Sequence, residues 1–402
     1  MTRILRHPTI LVLAFFQLCA GLLEVGTTLF GAFMRSLQAG PEVLGLVLGL
    51  GWGAAALGSL LGGQTADRLG ARTTLLGGVA LTALGLLVEG ISTAWPAAAL
   101  GFFLIQGAQM ASHPAVLRLV EEAASGRTGN AVGFLDTVYA LVAIGGALLA
   151  GWLAQEAGWP AVFLLKAGLY LLAFLPMLLL IPRGRPAHPP EEPGTRRGWP
   201  ALLRNASLRY ICASVVAVTL LGYAPSFLAY DPRLAGSPWV LARFPAIYNA
   251  AWLLSSWPAG LLGDRLGRWK VVIGGYALMG LAWLLFPWPQ EVAFLYPLYA
   301  LYCLGNSAGF YSTLLAMECV PQEEQGRAVG LFDTCMLAGA AMGEGCGGLL
   351  WEGLGAGPSY LLAALGMGLG CLLLLRGRPA RPIPSAPPAP SPPEFPSGGG
   401  RR

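Results

Sequence analysis

Charge is what this sequence has least of. Its 20 Asp and Glu and 25 Lys and Arg make up only 11% of 402 residues, while hydrophobic residues make up 55%. A soluble domain carries about a quarter charged residues, and a soluble fold with so few would expose too much apolar surface to stay dissolved. Lysine is nearly absent: Lys166 and Lys270 stand in a chain that otherwise uses arginine. No Gly-Lys-Ser/Thr phosphate loop is present, which excludes ATP as the driver. No nucleophile and base form a hydrolytic constellation, so an enzyme is not expected. The seven cysteines (Cys19, Cys212, Cys303, Cys319, Cys335, Cys346, Cys371) include no Cys-x-x-Cys pair and lie in or beside apolar runs. They read as small buried hydrophobes, with no disulfide framework, metal site or cofactor implied. The net charge of +5 is spread over loops between apolar runs, which is not a nucleic-acid surface.

Apolar runs of about 20 residues, the length that crosses a bilayer core as a helix, recur along the chain. Twelve spans are predicted, at 8–33, 42–63, 73–95, 96–120, 129–155 and 159–181, then 206–229, 238–262, 270–288, 291–316, 327–351 and 357–376. Arg3 and Arg6 precede the first run as in a signal peptide. The run is too long and lacks a small-residue cleavage site, so it reads as a retained span. Residues 182–204 are rich in Pro, Arg and Glu and have no apolar face to pack, which predicts a cytosolic linker. Residues 378–402 are Pro-, Ser-, Gly- and Arg-rich and predict a disordered cytoplasmic tail. The expected domains are therefore 1–181 and 205–377, each a six-helix bundle. With both termini inside, about 21 of the 25 Lys and Arg fall in termini and even-numbered loops; that bias predicts a multi-pass protein of the cytoplasmic membrane with both termini in the cytoplasm.

Two landmarks occur twice. Asp67-Arg68-Leu69-Gly70 returns as Asp264-Arg265-Leu266-Gly267, and Gly133-Phe134-Leu135-Asp136 returns as Gly330-Leu331-Phe332-Asp333. The differences 264 − 67 and 333 − 136 are both 197. Unrelated landmarks sharing one offset mark a tandem duplication. Six spans per copy make the copies parallel, related by an axis along the membrane normal.

Gly-x-x-x-Asp-Arg-x-Gly-[Arg/Lys], between spans two and three and again between eight and nine, resembles the signature loop of the major facilitator superfamily of secondary transporters. The resemblance covers about residues 8 to 376. The second copy matches closely; the first has Ala71 before Arg72. It implies an all-α membrane protein of twelve transmembrane helices in two pseudo-symmetric six-helix bundles. It also implies that the loop aspartates gate the cytoplasmic side, Asp67 capping span eleven near Gly326 and Asp264 capping span five near Gly129, with Arg68, Arg72, Arg265 and Arg268 beside them. A carboxylate is favoured at a helix N-terminus by its orphan N–H groups and dipole. Asp136 and Asp333, one or two turns into spans five and eleven, join the gating set. A glycine pattern associated with antiporters has its best match in span eleven, at Gly339, Gly343, Gly347 and Gly348, with Glu344 in place of the proline. Span five keeps Gly146, Ala150 and Gly151, with Ala147 at the proline position. Gln106-Gly107 matches a span-four pattern whose arginine is here Phe103.

Ionisable residues inside spans are costly and are functional candidates by default. Glu24 lies about two thirds through span one. Lys166 lies about 10 Å into span six from the outer face, at 1.5 Å per residue. Their depths match and the resemblance makes the spans neighbours. Two readings are open: an ion pair whose lysine can lose its proton, or a lysine that snorkels to the surface beside a solvated Glu24. Glu344 is a deep carboxylate, either a cavity-facing substrate or proton site or a structural hydrogen-bonding group. Gln109 and Asn306 are matched amides, also 197 apart, on spans that the resemblance places around the cavity. His113 is a titratable candidate on span four. Tyr223, Trp252 and Tyr302 are deep aromatics suited to walling a pocket. Asp231, Arg233 and Arg243 flank the outer loop of span seven as an outer gate. The expected function is proton-coupled efflux of a small organic molecule by a single polypeptide, with uptake of a small solute as the alternative and a transport-incompetent sensor as a third.

Overall fold

Four glycines set the turning points of the chain. Gly70 and Gly267 have φ of 88° and 89°, and Gly158 and Gly355 have φ of 83° and 79°. Each pair is 197 positions apart, the offset of the repeated motifs. Such φ values suit glycine, which lacks the Cβ that would clash. Each glycine is a one-residue corner between long helices.

The computed structural model describes residues 7–124, 128–182, 202, 204–234, 236–309, 311–321 and 324–378. The linker expected at 182–204 and the tail at 378–402 lie almost wholly outside these residues. The first half contains α1 (Pro8–Gly21), α2 (Thr27–Ser36), α3 (Pro41–Leu69), α4 (Ala71–Ile91), α5 (Trp95–Ala124), α6 (Thr128–Ala157) and α7 (Trp159–Leu180). The second contains α8 (Ala206–Leu221), a 3-10 helix (Ala224–Tyr230), α9 (Pro238–Leu266), α10 (Arg268–Leu285), α11 (Val292–Gly309), α12 (Ser312–Glu318), α13 (Gln325–Leu354) and α14 (Ala356–Gly377). The architecture is all-α, with no strand among the described residues. Counting α1 with α2, α8 with the 3-10 helix, and α11 with α12 as one span each gives twelve.

Two expectations need correction. Spans one and seven are not continuous: span one unwinds between Gly21 and Thr27, and span seven between Leu221 and Ala224. The restarts at Thr27 and Ala224 are again 197 apart, so the break belongs to the duplicated unit. The signature motif is also not a loop. Asp67 and Arg68 lie in the last turn of α3, and Asp264 and Arg265 in that of α9. A single glycine turns each chain, so no longer loop is needed.

Small residues let these helices approach, as expected where lipid supplies no hydrophobic drive between them. A methyl added at Gly58 or Gly62 would overlap the Gly107 or Ala111 carbonyl of α5. Leu57, Leu60 and Leu179 are 63%, 62% and 70% exposed, a surface made for acyl chains.

The halves meet at the end away from the signature motifs. Arg35 Nη1 donates to the Ala229 carbonyl at 3.0 Å, the Tyr230 hydroxyl to the Ala39 carbonyl at 2.8 Å, and Ser237 Oγ to Gln155 Oε1 at 2.6 Å. A Cβ at Gly45 would lie 2.5 Å from the Glu344 carbonyl oxygen, and one at Gly49 2.6 Å from that of Ala341. At the motif end, added methyls on Gly63, Gly129 and Gly326 meet nothing within 4 Å.

Candidate functional site

The breaks in spans one and seven are seated by glycines of spans five and eleven. A methyl on Gly146 would overlap the Gly21 carbonyl oxygen, and one on Gly343 would lie 2.5 Å from the Thr219 carbonyl oxygen. Gly146 and Gly343 are 197 apart. What remains of the antiporter-like glycine pattern thus makes room for unwound backbone. In span one, Leu23 takes φ of 54°, uncommon for a residue with a branched side chain. The turn carries Glu24 to the wall of a cavity.

That cavity, of about 460 Å³, is lined by α1, the break after it, α2, α4, α5, α6 and α7. Its walls come from the first half alone. Glu24, Gln109, His113 and Lys166, named as candidates from sequence, all line it. Lys166 Nζ is 3.1 Å from Glu24 Oε2, with the two side chains 8% and 18% exposed. The open alternative is therefore decided geometrically: the two groups pair. Tyr139 stands against the same carboxylate, and Gln109 Nε2 points at the Tyr170 hydroxyl at 3.5 Å. His113 is exposed and lies near Asp136 of α6.

Sequence reasoning missed Glu89. It lies near the end of α4, where a carboxylate reads as an interfacial group. The fold covers that end: Glu89 is 2% exposed, a Cβ at Gly101 would meet its Cγ at 2.7 Å, and it lines the cavity. Its Oε1 is sealed from solvent without a hydrogen-bond partner. It is the one ionisable residue of the expected span 73–95, and that was the available signal.

The second-half candidates lie elsewhere; none of Tyr223, Trp252, Tyr302, Asn306 and Glu344 lines this cavity. Tyr223 is 1% exposed and packs edge-on against Phe227, 5.8 Å between centroids. Tyr302 sits in an aromatic cluster, 4.9 Å from Trp283 and 5.5 Å from Tyr299. Asn306 lies against the Tyr248 hydroxyl, and Trp252 is half-buried on α9. Glu344 is buried and accepts a hydrogen bond from Ser226 Oγ at 2.7 Å. That bond ties α13 to the 3-10 helix.

The gating geometry expected of the aspartates is not the one observed. Asp67 is 64% exposed and pairs at 3.6 Å with Arg118 of its own half; Asp264 is exposed near Tyr311. Neither caps the opposite bundle, because the halves are apart at this end. Arg118 also pairs with Glu122 at 3.2 Å. Arg72 donates to the Leu178 carbonyl and Arg268 pairs with Glu318, each within its own half. Arg68 and Arg265 are exposed, and Asp333 is half-buried on α13. The outer gate expected from Asp231 and Arg233 is instead a staple inside the second half. Asp231 Oδ2 accepts from Arg233 Nη2 and from the Tyr360 hydroxyl, each at 2.6 Å, while Arg233 Nη1 donates to the carbonyls of Phe286 and Pro289. Arg243 leans over the Tyr296 ring, 5.3 Å from its centroid.

A fold of two such halves has many solved relatives. A nucleoside transporter, NupG, aligns at a TM-score of 0.69 and 17% identity over 94% of this chain and 99% of its own. An auto-inhibited POT family peptide transporter aligns at 0.72 and 14% identity over 92% and 96%. A D-xylose-proton symporter aligns at 0.69 and 16% identity over 92% and 98%. A search of curated proteins finds no match. The sequence model of the Major Facilitator Superfamily matches residues 11–343, most of the chain, and with the duplicated twelve-span architecture this makes the chain a member of that superfamily of membrane transporters rather than an enzyme.

Proposed function

We propose that this protein is a single-chain, proton-coupled transporter that exports a small organic molecule across the cytoplasmic membrane by alternating access. The observation that carries the reading is the one-sided closure. Contacts between the halves gather at the end away from the signature motifs, while Asp67 and Asp264 stand exposed at the other. The arginine bias assigns the motif end to the cytoplasm and both termini with it, so this is the inward-open state. In the outward-open state the halves, 1–181 and 205–377, pivot about the broken spans. Asp67 and Asp264 then reach the N-termini of α13 and α6, where their charge is favoured.

Glu24 and Lys166 are the proposed coupling pair, since both line the cavity and lysine gives up a proton more readily than arginine when buried. Glu344, tucked against Ser226, is proposed as part of the outer closure. Export rests on the glycines of span eleven and their likeness to the antiporter pattern. Uptake is the second reading, favoured by a fold neighbour that is a D-xylose-proton symporter.

The test begins with a thermal-shift screen of sugars, amino acids, organic acids and amines at two pH values. Stabilising compounds are then assayed in proteoliposomes under an imposed pH gradient. Gradient-driven flux, abolished by a protonophore, is expected. A protein that binds compounds but moves none under any gradient is not a transporter.

A further inference from the structure

The duplication supplies an internal control for the charges in the cavity. At an offset of 197, Glu24 corresponds to Leu221, Glu89 to Phe286 and Lys166 to Ala363. The register is secure there, because the helix starts Trp95 and Val292 and the corners Gly158 and Gly355 keep the same offset. Phe286 and Ala363 are both 0% exposed. The same architecture therefore packs with apolar groups at these places, and nothing in the fold requires the charges. Charges buried in a membrane without a structural need point to a ligand.

Their count is unbalanced. Two carboxylates, Glu24 and Glu89, face the cavity with one ammonium, Lys166. His113 is the other basic group on the wall, toward the cytoplasmic end of α5. Lys166 is committed to Glu24 at 3.1 Å. It lies within Coulombic range of Glu89, yet Glu89 keeps Oε1 buried without a hydrogen-bond partner. A buried carboxylate in that position is costly until a donor or a cation meets it. Glu89 lies 18 residues beyond Ala71, about 27 Å along α4 from the motif end at 1.5 Å per residue, so it forms the closed tip of the cavity. Phe30, Phe102 and Phe163 line the same cavity, with Phe30 and Phe102 stacked at 4.3 Å.

We propose that the transported molecule is a primary or secondary organic amine with one aromatic ring, its ammonium group bound at Glu89 and its ring held among Phe30, Phe102 and Phe163. This deepens the transporter reading and rests on it. A ring and a short aminoalkyl arm fit a cavity of about 460 Å³, and the aromatic walls add cation–π attraction to the carboxylate. The ammonium supplies the donor that the buried Glu89 Oε1 lacks.

The test uses full-length protein in lipid nanodiscs and three probes of one shape: phenethylamine, 2-phenylethanol and phenylacetate. Calorimetry at neutral pH is expected to show the amine binding at least tenfold tighter than the alcohol or the acid. Glu89→Gln is expected to lose at least tenfold for the amine and nothing for the alcohol, Glu89→Asp to lose less, and Glu156→Gln, an exposed control, to match the parent. Equal binding of the three probes by the parent protein, preference for phenylacetate, no binding of the amine at millimolar concentration, or amine binding unchanged in Glu89→Gln each overturns the proposal. The probe series on the parent protein answers even if Glu89→Gln does not fold. Proton-driven flux of some other compound would leave the transporter reading standing while the amine inference fails.

Discussion

Gly146 of α6 lies directly beneath the carbonyl of Gly21, at the point where span one unwinds, with no room between them for a methyl group. The obstacle is backbone, which cannot swing aside as a side chain does. Gly146→Ala should therefore displace the break and destabilise the protein by about 1–3 kcal/mol, the usual cost of overpacking. Gly145→Ala, where an added methyl meets nothing within 4 Å, should be neutral or slightly stabilising. Thermal unfolding followed by tryptophan fluorescence compares the two; equal melting temperatures would count against a packed break.

Lys166 and Glu24 form a pair with both side chains mostly buried. Removing one partner strands the other charge, which costs about 3–5 kcal/mol for a fully buried pair and somewhat less here. Lys166→Met and Glu24→Gln should each lower stability, and the double variant should recover part of the loss. Additive losses in that double-mutant cycle would show that the pair does not interact. In flux assays both single variants should lose coupling to the pH gradient; normal gradient-driven transport by both would remove these groups from the coupling mechanism.

Asp231 accepts the Tyr360 hydroxyl and the Arg233 fork at the end of the second half away from the signature motif. Tyr360→Phe deletes one donor and leaves a buried acceptor short, at a cost of about 1–3 kcal/mol. The expected result is a lower melting temperature with an unchanged affinity for any ligand of the first-half cavity. A changed ligand affinity would mean that the staple communicates with the site.

Asp67 and Asp264 are proposed to stabilise the state in which the motif end is closed, through helix N-termini that they do not touch in the open state. A carboxylate there is worth about 0.3–1 kcal/mol, a shift of roughly two- to fivefold in the equilibrium. Spin labels at Leu69 and Leu266, in a cysteine-free background, report the distance across that end. Asp264→Asn should raise the population at long distance; an unaltered distribution would remove the aspartate from the gate.

Much of this was legible in the chain itself. Composition and run length determine a membrane protein of about twelve helices, because lipid leaves a polar backbone no option but to satisfy itself in helices. The 197-residue offset of Asp67 and Asp264 revealed two copies, and depth alone brought Glu24 and Lys166 to one level. Tertiary structure decided the rest. Whether Lys166 paired or snorkelled depended on the rotation of α7 against the broken end of α1, which span lengths do not encode. Glu89 became part of a cavity because α5 and α7 cover the end of α4. Asp67 was exposed and paired with Arg118 because the halves are apart at that end, a choice between two packings of one sequence that no local pattern records. Only the first copy carries Glu24, Glu89 and Lys166 where its twin has Leu221, Phe286 and Ala363, and it was the fold that brought these three to one cavity, since charges buried in lipid need partners that distant segments must supply.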